Sequence, residues 1–211
     1  MKMKLAWILF LVVAVFNLPT TAKAQEKPTI LVLGDSLSAG YNIDVEQGWV
    51  ELLNQKLQQE GYPHTVINGS ISGDTTTQGL LRLPTLLEQH DPEIVIIELG
   101  GNDALRGTPP NAIKRNLSKL IDTSKRSGAE VLLLGIQIPP NYGQRYAQAF
   151  FDNYAQLANE KKVKLVPFFL ENVGGNDELM QDDGIHPNVK AQPILLENIW
   201  PQLEAQIKNA G

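Results

Sequence analysis

The sequence predicts an α/β fold, a three-layer α/β/α sandwich built on a parallel sheet. Three observations predict it. Apolar runs recur along the chain and alternate with amphipathic stretches, the pattern of strand–helix crossovers that wind right-handed and leave the strands parallel. The runs lack polar alternation, so the sheet is buried on both faces and needs helices on each. No repeat, low-complexity tract or Pro/Gly/Ser linker divides the chain, which points to one domain.

The elements follow in order. Thr29-Ile30-Leu31-Val32-Leu33 is a buried strand ending at Gly34. Trp49, Val50, Leu52, Leu53 and Leu57 fall on one face of a helix that Gly61 and Pro63 stop. Thr65-Val66-Ile67 is the second strand. A helix is expected from about residue 76 to 89, interrupted near Pro84. Ile94 to Leu99 is the third strand. Ile113, Leu117, Leu120 and Ile121 mark a helix closed by Ser127-Gly128, and Val131 to Ile136 is the fourth strand. Residues 143–161 and 189–208 read as helices, with a short fifth strand from Val163 to Phe168.

The N-terminus reads differently. Lys2 and Lys4 precede a 12-residue apolar stretch, Leu5 to Phe16, and Ala22-Lys23-Ala24 is a small-x-small cleavage site. This is the pattern of a secretory signal peptide over residues 1–24; the apolar stretch is short for a bilayer span, and the alternative is a retained anchor. The absence of cysteine excludes a lipid-modified terminus. Cleavage after Ala24 leaves residues 25–211 as the domain, enough for a sizeable core. It also removes three lysines, leaving 15 basic against 23 acidic residues, a net charge of −8. Such a balance argues against nucleic acid and against electrostatic docking on anionic membranes. Without cysteine no disulfide is available, so an exported chain must rely on its core. The Asn-x-Ser triplets at Asn68 and Asn116 read as chance matches.

Three segments carry chemistry: Gly34-Asp35-Ser36-Leu37-Ser38, Gly100-Gly101-Asn102-Asp103 and Asp183-Gly184-Ile185-His186. In parallel α/β sheets, ligands bind beyond the C-terminal ends of the strands. Ser36 and Asn102 each lie just past such an end, which puts both on one rim. Ser36 at a strand-to-loop turn is a candidate nucleophile; the competing reading is an N-cap or turn serine. A Gly-x-Ser-x-Gly elbow is absent, which disfavours the standard α/β-hydrolase. His186 is one of three histidines, with His64 and His90, both read as structural or solvated. Pro187 holds His186 out of helical geometry. Asp183 lies three residues earlier, a spacing that lets one turn set a carboxylate against the ring; turn composition alone explains the same letters. The Asn102 amide suits donation to a developing oxyanion, against an Asx-turn as the plain alternative. Gly73, beyond the second strand, can bring a backbone N–H close to a ligand. Together these read as a serine-nucleophile hydrolase in the order Ser…Asp…His.

In this order the motifs resemble the SGNH hydrolases, also called GDSL-type lipases and esterases. The match lies at Gly34-Asp35-Ser36, Gly73, Gly100-x-Asn102-Asp103 and Asp183-x-x-His186, over residues 29–190. The strings Gly34 to Tyr41, Glu98 to Asp103, Pro140 to Gly143 and Met180 to Pro187 are similar to one branch, the periplasmic multifunctional acyl-CoA thioesterases and lysophospholipases with related arylesterases. The resemblance implies a flavodoxin-like five-stranded sheet in the order 2-1-3-4-5. It implies Ser36 as nucleophile, His186 as general base and then acid, and Asp183 as its orienting partner. The oxyanion hole would be the N–H groups of Ser36 and Gly73 with the Asn102 amide, and no metal or other cofactor is needed. It also implies a monomer, a mobile loop beside the site at Gly79 to Leu87, and an acyl contact at Ile138.

The function expected is therefore a secreted periplasmic hydrolase of acyl esters and thioesters such as acyl-CoA, lysophospholipids and aryl esters, its partners small molecules, with no stable membrane insertion after cleavage. Acyl-chain candidates are Leu81 and Pro84 in an expected apolar loop, Leu80 to Pro84, and Ile138 and Pro139 on the same rim. Alternatives are a carbohydrate acetylesterase on the same scaffold, a metallophosphoesterase using Asp35, Asp103 and His186, and a non-catalytic periplasmic binding protein. The metal reading lacks ligands, because two of the three histidines lie outside the motifs. The binding-protein reading leaves the joint presence of nucleophile, base and amide unexplained.

Overall fold

A computed structural model describes residues 27–210; the expected signal peptide and its cleavage site lie outside the described residues. Five strands, β1 (Thr29–Gly34), β2 (Thr65–Asn68), β3 (Ile94–Glu98), β4 (Glu130–Leu134) and β5 (Lys164–Val166), form one sheet in the order β2-β1-β3-β4-β5, every pair parallel. Fold class and strand order agree with expectation.

Strand side chains alternate between two cores. Ile30, Val32, Ile94, Ile96, Leu132 and Leu134 face one layer, formed by α2 (Trp49–Gln59) and α7 (Gln192–Ala210). Leu31, Leu33, Val95, Ile97, Val131 and Leu133 face the other, formed by α3 (Thr76–His90), α5 (Pro110–Arg126) and α6 (Gln144–Lys161). These strand residues are almost wholly buried, which is why their sequence shows no polar alternation.

Two short helices, α1 (Ser36–Ala39) and α4 (Gly101–Leu105), start directly beyond β1 and β3. Their placement follows from register. Gly34 pairs with Glu98, so adjacent strands end level and the segments after them emerge side by side. Chain order reverses between β1 and β3, with β2 on one side and β4 on the other, and this is where a parallel sheet opens a crevice.

Some boundaries differ from those expected. Helix α3 is continuous from Thr76 to His90 with Pro84 inside it; neither the interruption nor a loop at Gly79 to Leu87 is present. Pro84 points to solvent, and Leu83 and Leu87 hold the buried face against the sheet, so packing outweighs the lost backbone bond. A capping box starts the helix: the Thr75 hydroxyl accepts from Gln78 N–H and the Gln78 side chain accepts from Thr75 N–H. β4 ends at Leu134 rather than Ile136, and β5 spans three residues. The last helix is preceded by one 3₁₀ turn, Val189–Ala191.

Candidate active site

β1 ends in Gly34, where a side chain would press to within 2.7 Å of the Ser38 hydroxyl and 2.8 Å of the Glu98 carboxyl. The glycine lets α1 fold back onto the strand ends. Asp35, not Ser36, is its N-cap, and its Oδ1 accepts from Leu37 N–H at 3.1 Å. This disposes of the capping reading of Ser36, whose hydroxyl is left to meet His186 Nε2 at 2.9 Å. Asn68 Nδ2 donates to the Ser38 carbonyl at 2.9 Å and braces the end of α1.

His186 arrives from a turn 150 residues away in sequence. Asp183 Oδ1 accepts from the N–H groups of Ile185 and His186, each at 2.9 Å, and Oδ2 meets His186 Nδ1 at 2.6 Å. One carboxylate thus folds the turn with one oxygen and holds the ring with the other. Partial burial acts to raise its pKa, but the bonds from His186 and Ile185 outweigh that and bring it to about 2. It is ionised at any working pH. Tyr41 lays its ring 4.4 Å from the His186 ring.

Asn102 lies in the first turn of α4. Its side-chain amide donates to Asp35 Oδ2 at 2.9 Å and to the Asp74 carbonyl at 3.1 Å. Gly73 has φ +84°, which a side-chain-bearing residue rarely adopts, and its carbonyl accepts from Arg106 at 3.2 Å. Asp103 secures the start of α3, accepting from the N–H and hydroxyl of Thr76, both at 2.7 Å. Ser36, Gly73, Asn102, Asp183 and His186 are therefore brought to one rim by β1, β2, β3 and the last turn.

The acyl-chain candidates fare differently. Leu81 and Pro84 belong to α3, which starts at the rim and descends ~1.5 Å per residue, so they stand below it on an exposed helix face. Ile138 is 8% exposed and packs into the core, while Pro139 is exposed. Exposed apolar side chains that do flank the site are Tyr41, Ile71 and Ile185, each from a loop that carries a site residue. His64 is buried just before β2, at the N-terminal ends of the strands and so opposite the rim, and His90 ends α3. Among the described residues, no three His, Asp or Glu side chains are grouped to hold a metal, and no helix is long and apolar enough to cross a membrane.

The sequence reading missed a pair of buried carboxyls beneath Ser36. Glu98, with no solvent exposure, accepts from the Ser38 hydroxyl at 2.7 Å and from Asp35 N–H at 3.2 Å. Burial, with the Asp35 charge nearby, pushes its pKa well above the usual carboxylate range. Burial likewise lifts Asp35 to about 6, against the lowering effect of its bonds from Leu37 N–H and Asn102. A lone polar residue ending an apolar strand was the only available signal. A folded-state pKa raised above the unfolded value stabilises below the unfolded value, and that contribution is lost as pH rises through the folded one. Glu98→Gln keeps an acceptor for Ser38 and removes the ionisation. The melting temperature of this variant relative to wild type should therefore climb as pH rises above the ordinary carboxylate range; a constant difference in differential scanning fluorimetry would count against a buried acid there.

The model of the GDSL-like lipase/acylhydrolase family matches residues 32–192. Over 176 residues the chain is 55% identical to "Esterase TesA" of Pseudomonas aeruginosa, covering 83% of this chain and 88% of that protein. Over 189 residues it is 47% identical to "Thioesterase 1/protease 1/lysophospholipase L1" of Escherichia coli K12, covering 90% of this chain and 89% of the other. It superposes with a TM-score of 0.83 on the crystal structure of TesA, at 54% identity over 84% of this chain and 99% of that one. The chain belongs to the GDSL-like lipase/acylhydrolase family and is a hydrolase of carboxylic esters.

Proposed function

We propose that this enzyme hydrolyses acyl esters and thioesters of small molecules through an acyl-enzyme on Ser36. The observation that carries this is the continuous chain Ser36 Oγ, His186 and Asp183, with contacts of 2.9 and 2.6 Å. The Asp183 carboxylate fixes a proton on His186 Nδ1 and leaves Nε2 bare toward the hydroxyl. As Oγ attacks the acyl carbon, Nε2 takes its proton and returns it to the leaving oxygen or sulfur. Water then repeats the sequence and releases the acid.

The negative oxygen formed on attack is met by the N–H groups of Ser36 and Gly73 and by the Asn102 amide. Both hydrogens of that amide are engaged in the resting site. The bond to the Asp35 carboxylate anchors the nitrogen, and the hydrogen on the neutral Asp74 carbonyl is the one free to turn to substrate. Neighbouring names, an esterase and a thioesterase and lysophospholipase, support this substrate range, and aryl esters fit the same chemistry. The Lys2-to-Ala24 segment supports export to the periplasm.

The acyl chain lies on the apolar rim formed by Tyr41, Ile71 and Ile185, extended toward Ile138 and Pro139. Each CH₂ it buries contributes roughly 0.8 kcal/mol, about fourfold in kcat/KM. Across p-nitrophenyl esters, kcat/KM should rise from acetyl to medium chains, and Ile71→Ser should flatten the rise while leaving acetyl turnover unchanged. A strict acetyl preference would reject this reading and favour a carbohydrate acetylesterase.

A further inference from the structure

We infer that Gln181 is a positioning residue that sets the base against the nucleophile, an inference that rests on the proposed roles of Ser36 and His186. Ser36 is fixed by a strand end and a capped helix, whereas His186 lies in an irregular turn outside any helix or strand. That turn is closed by one isolated bridge between Met180 and Pro187, by Gln181 N–H donating to the His186 carbonyl at 2.7 Å, and by Asn188, whose N–H donates to the Leu179 carbonyl at 2.8 Å and whose side-chain amide donates to the Glu178 and Met180 carbonyls at 2.9 and 3.2 Å. Beyond the His186 ring's own contacts with Ser36 and Tyr41, the Gln181 side chain joins this turn to the nucleophile's side of the site.

Its Nε2 donates to the Tyr41 carbonyl at 2.9 Å and to the Pro187 carbonyl at 3.0 Å. Its Oε1 accepts from Asn42 Nδ2 at 3.2 Å. One amide therefore ties both ends of the contact: Pro187 directly follows the base, and Tyr41 directly follows Gly40, the C-cap of α1. Tyr41 in turn donates its N–H to the Ser36 carbonyl at 3.1 Å and stacks its ring on His186. Asn42 is held at φ +58°, a conformation asparagine tolerates better than most residues, which turns its amide to Gln181. Two donors for two carbonyls and one acceptor for an amide is a set that glutamine meets. Glutamate lacks the donors, and asparagine is one carbon short.

A shift of about 1 Å between reacting groups costs on the order of 10²-fold. Gln181→Met, which keeps length and bulk, is therefore expected to lower kcat on a p-nitrophenyl ester by roughly 10- to 100-fold, with KM within about twofold. The rate of Ser36 phosphonylation by a fluorophosphonate should fall in parallel. The low-field proton of the Asp183–His186 pair, read by NMR, should persist, because that pair is built within residues 183–186. Unchanged kcat overturns the inference. So does a fall in kcat accompanied by loss of that proton, which would mean that Gln181 merely maintains the turn. If Gln181→Met does not fold, Asn42→Ala, which removes the Oε1 partner, should lower kcat severalfold at constant KM, and full activity there overturns it instead. Ser36→Ala run alongside separates the two failures: activity remaining in that variant discards the proposed mechanism itself, whereas an inactive Ser36→Ala with a fully active Gln181→Met discards only the positioning role.

Discussion

Ser36→Ala should abolish ester hydrolysis, by roughly 10⁴- to 10⁶-fold, in a protein that melts like the wild type. The size follows from the proposed acyl-enzyme route, because without Oγ no such intermediate forms. The intact fold follows from the structure. The N-cap of α1 is Asp35, the bond to Glu98 is made by Ser38, and the only hydrogen bond found for the Ser36 hydroxyl among the described residues is to His186. Removing the hydroxyl therefore breaks no cap and orphans no buried group, and a methyl is well tolerated at the first position of a helix. His186→Ala should cost a comparable amount, since a serine without its base is a weak nucleophile. Turnover with a p-nitrophenyl ester and a thermal melt check both. Near-normal turnover in folded Ser36→Ala would falsify the assignment.

Asp183→Asn is expected to lower kcat by roughly 10³- to 10⁴-fold, whereas Asp182→Asn should change it less than about twofold. The adjacent carboxylates have different surroundings. Asp182 is exposed. Asp183 takes the N–H groups of Ile185 and His186 on one oxygen and the His186 ring on the other. Asparagine keeps the first oxygen, so the turn persists. Its amide then donates to Nδ1, which moves the ring proton to Nε2, where it faces Ser36 and blocks proton uptake. The same substitution has a signature in acid. The Asp183 pKa of about 2 lies below its ordinary 3.8, so its contribution to stability is present above the ordinary value and is lost as pH falls through about 2. Unfolding of Asp183→Asn should be less pH-dependent across that window. If Asp182→Asn proves the more damaging, the acid of the site has been placed one residue out of register.

The sheet was legible because burial on two faces leaves a mark within four consecutive residues, as in Ile94 to Ile97. The site was legible to the extent that its chemistry is written in short motifs. Asp183 and His186 sit in one turn, so their spacing carries their geometry. Ser36 and Asn102 sit at strand ends, and the topology of a parallel sheet brings strand ends together. The expected break at Pro84 failed because proline's local preference was weighed without the packing of Leu83 and Leu87. The loop expected at Gly79 to Leu87 failed with it, and Leu81 and Pro84 went from rim candidates to positions on a descending helix.

By itself, then, the sequence determined the layers, the all-parallel sheet and the three segments that carry the chemistry, since each depends on residues a few positions apart. The tertiary structure alone decided which groups meet across long separations. It placed Glu98 beneath α1, 60 residues from the Ser38 hydroxyl it accepts. It turned the Asn102 amide onto Asp35, 67 residues away, and set Gln181 against Tyr41, 140 residues away. Periodicity reports which face of an element is buried, because that depends on its own neighbours. A hydrogen bond between distant residues depends on where two independently built loops end, and one sequence holds no local record of that.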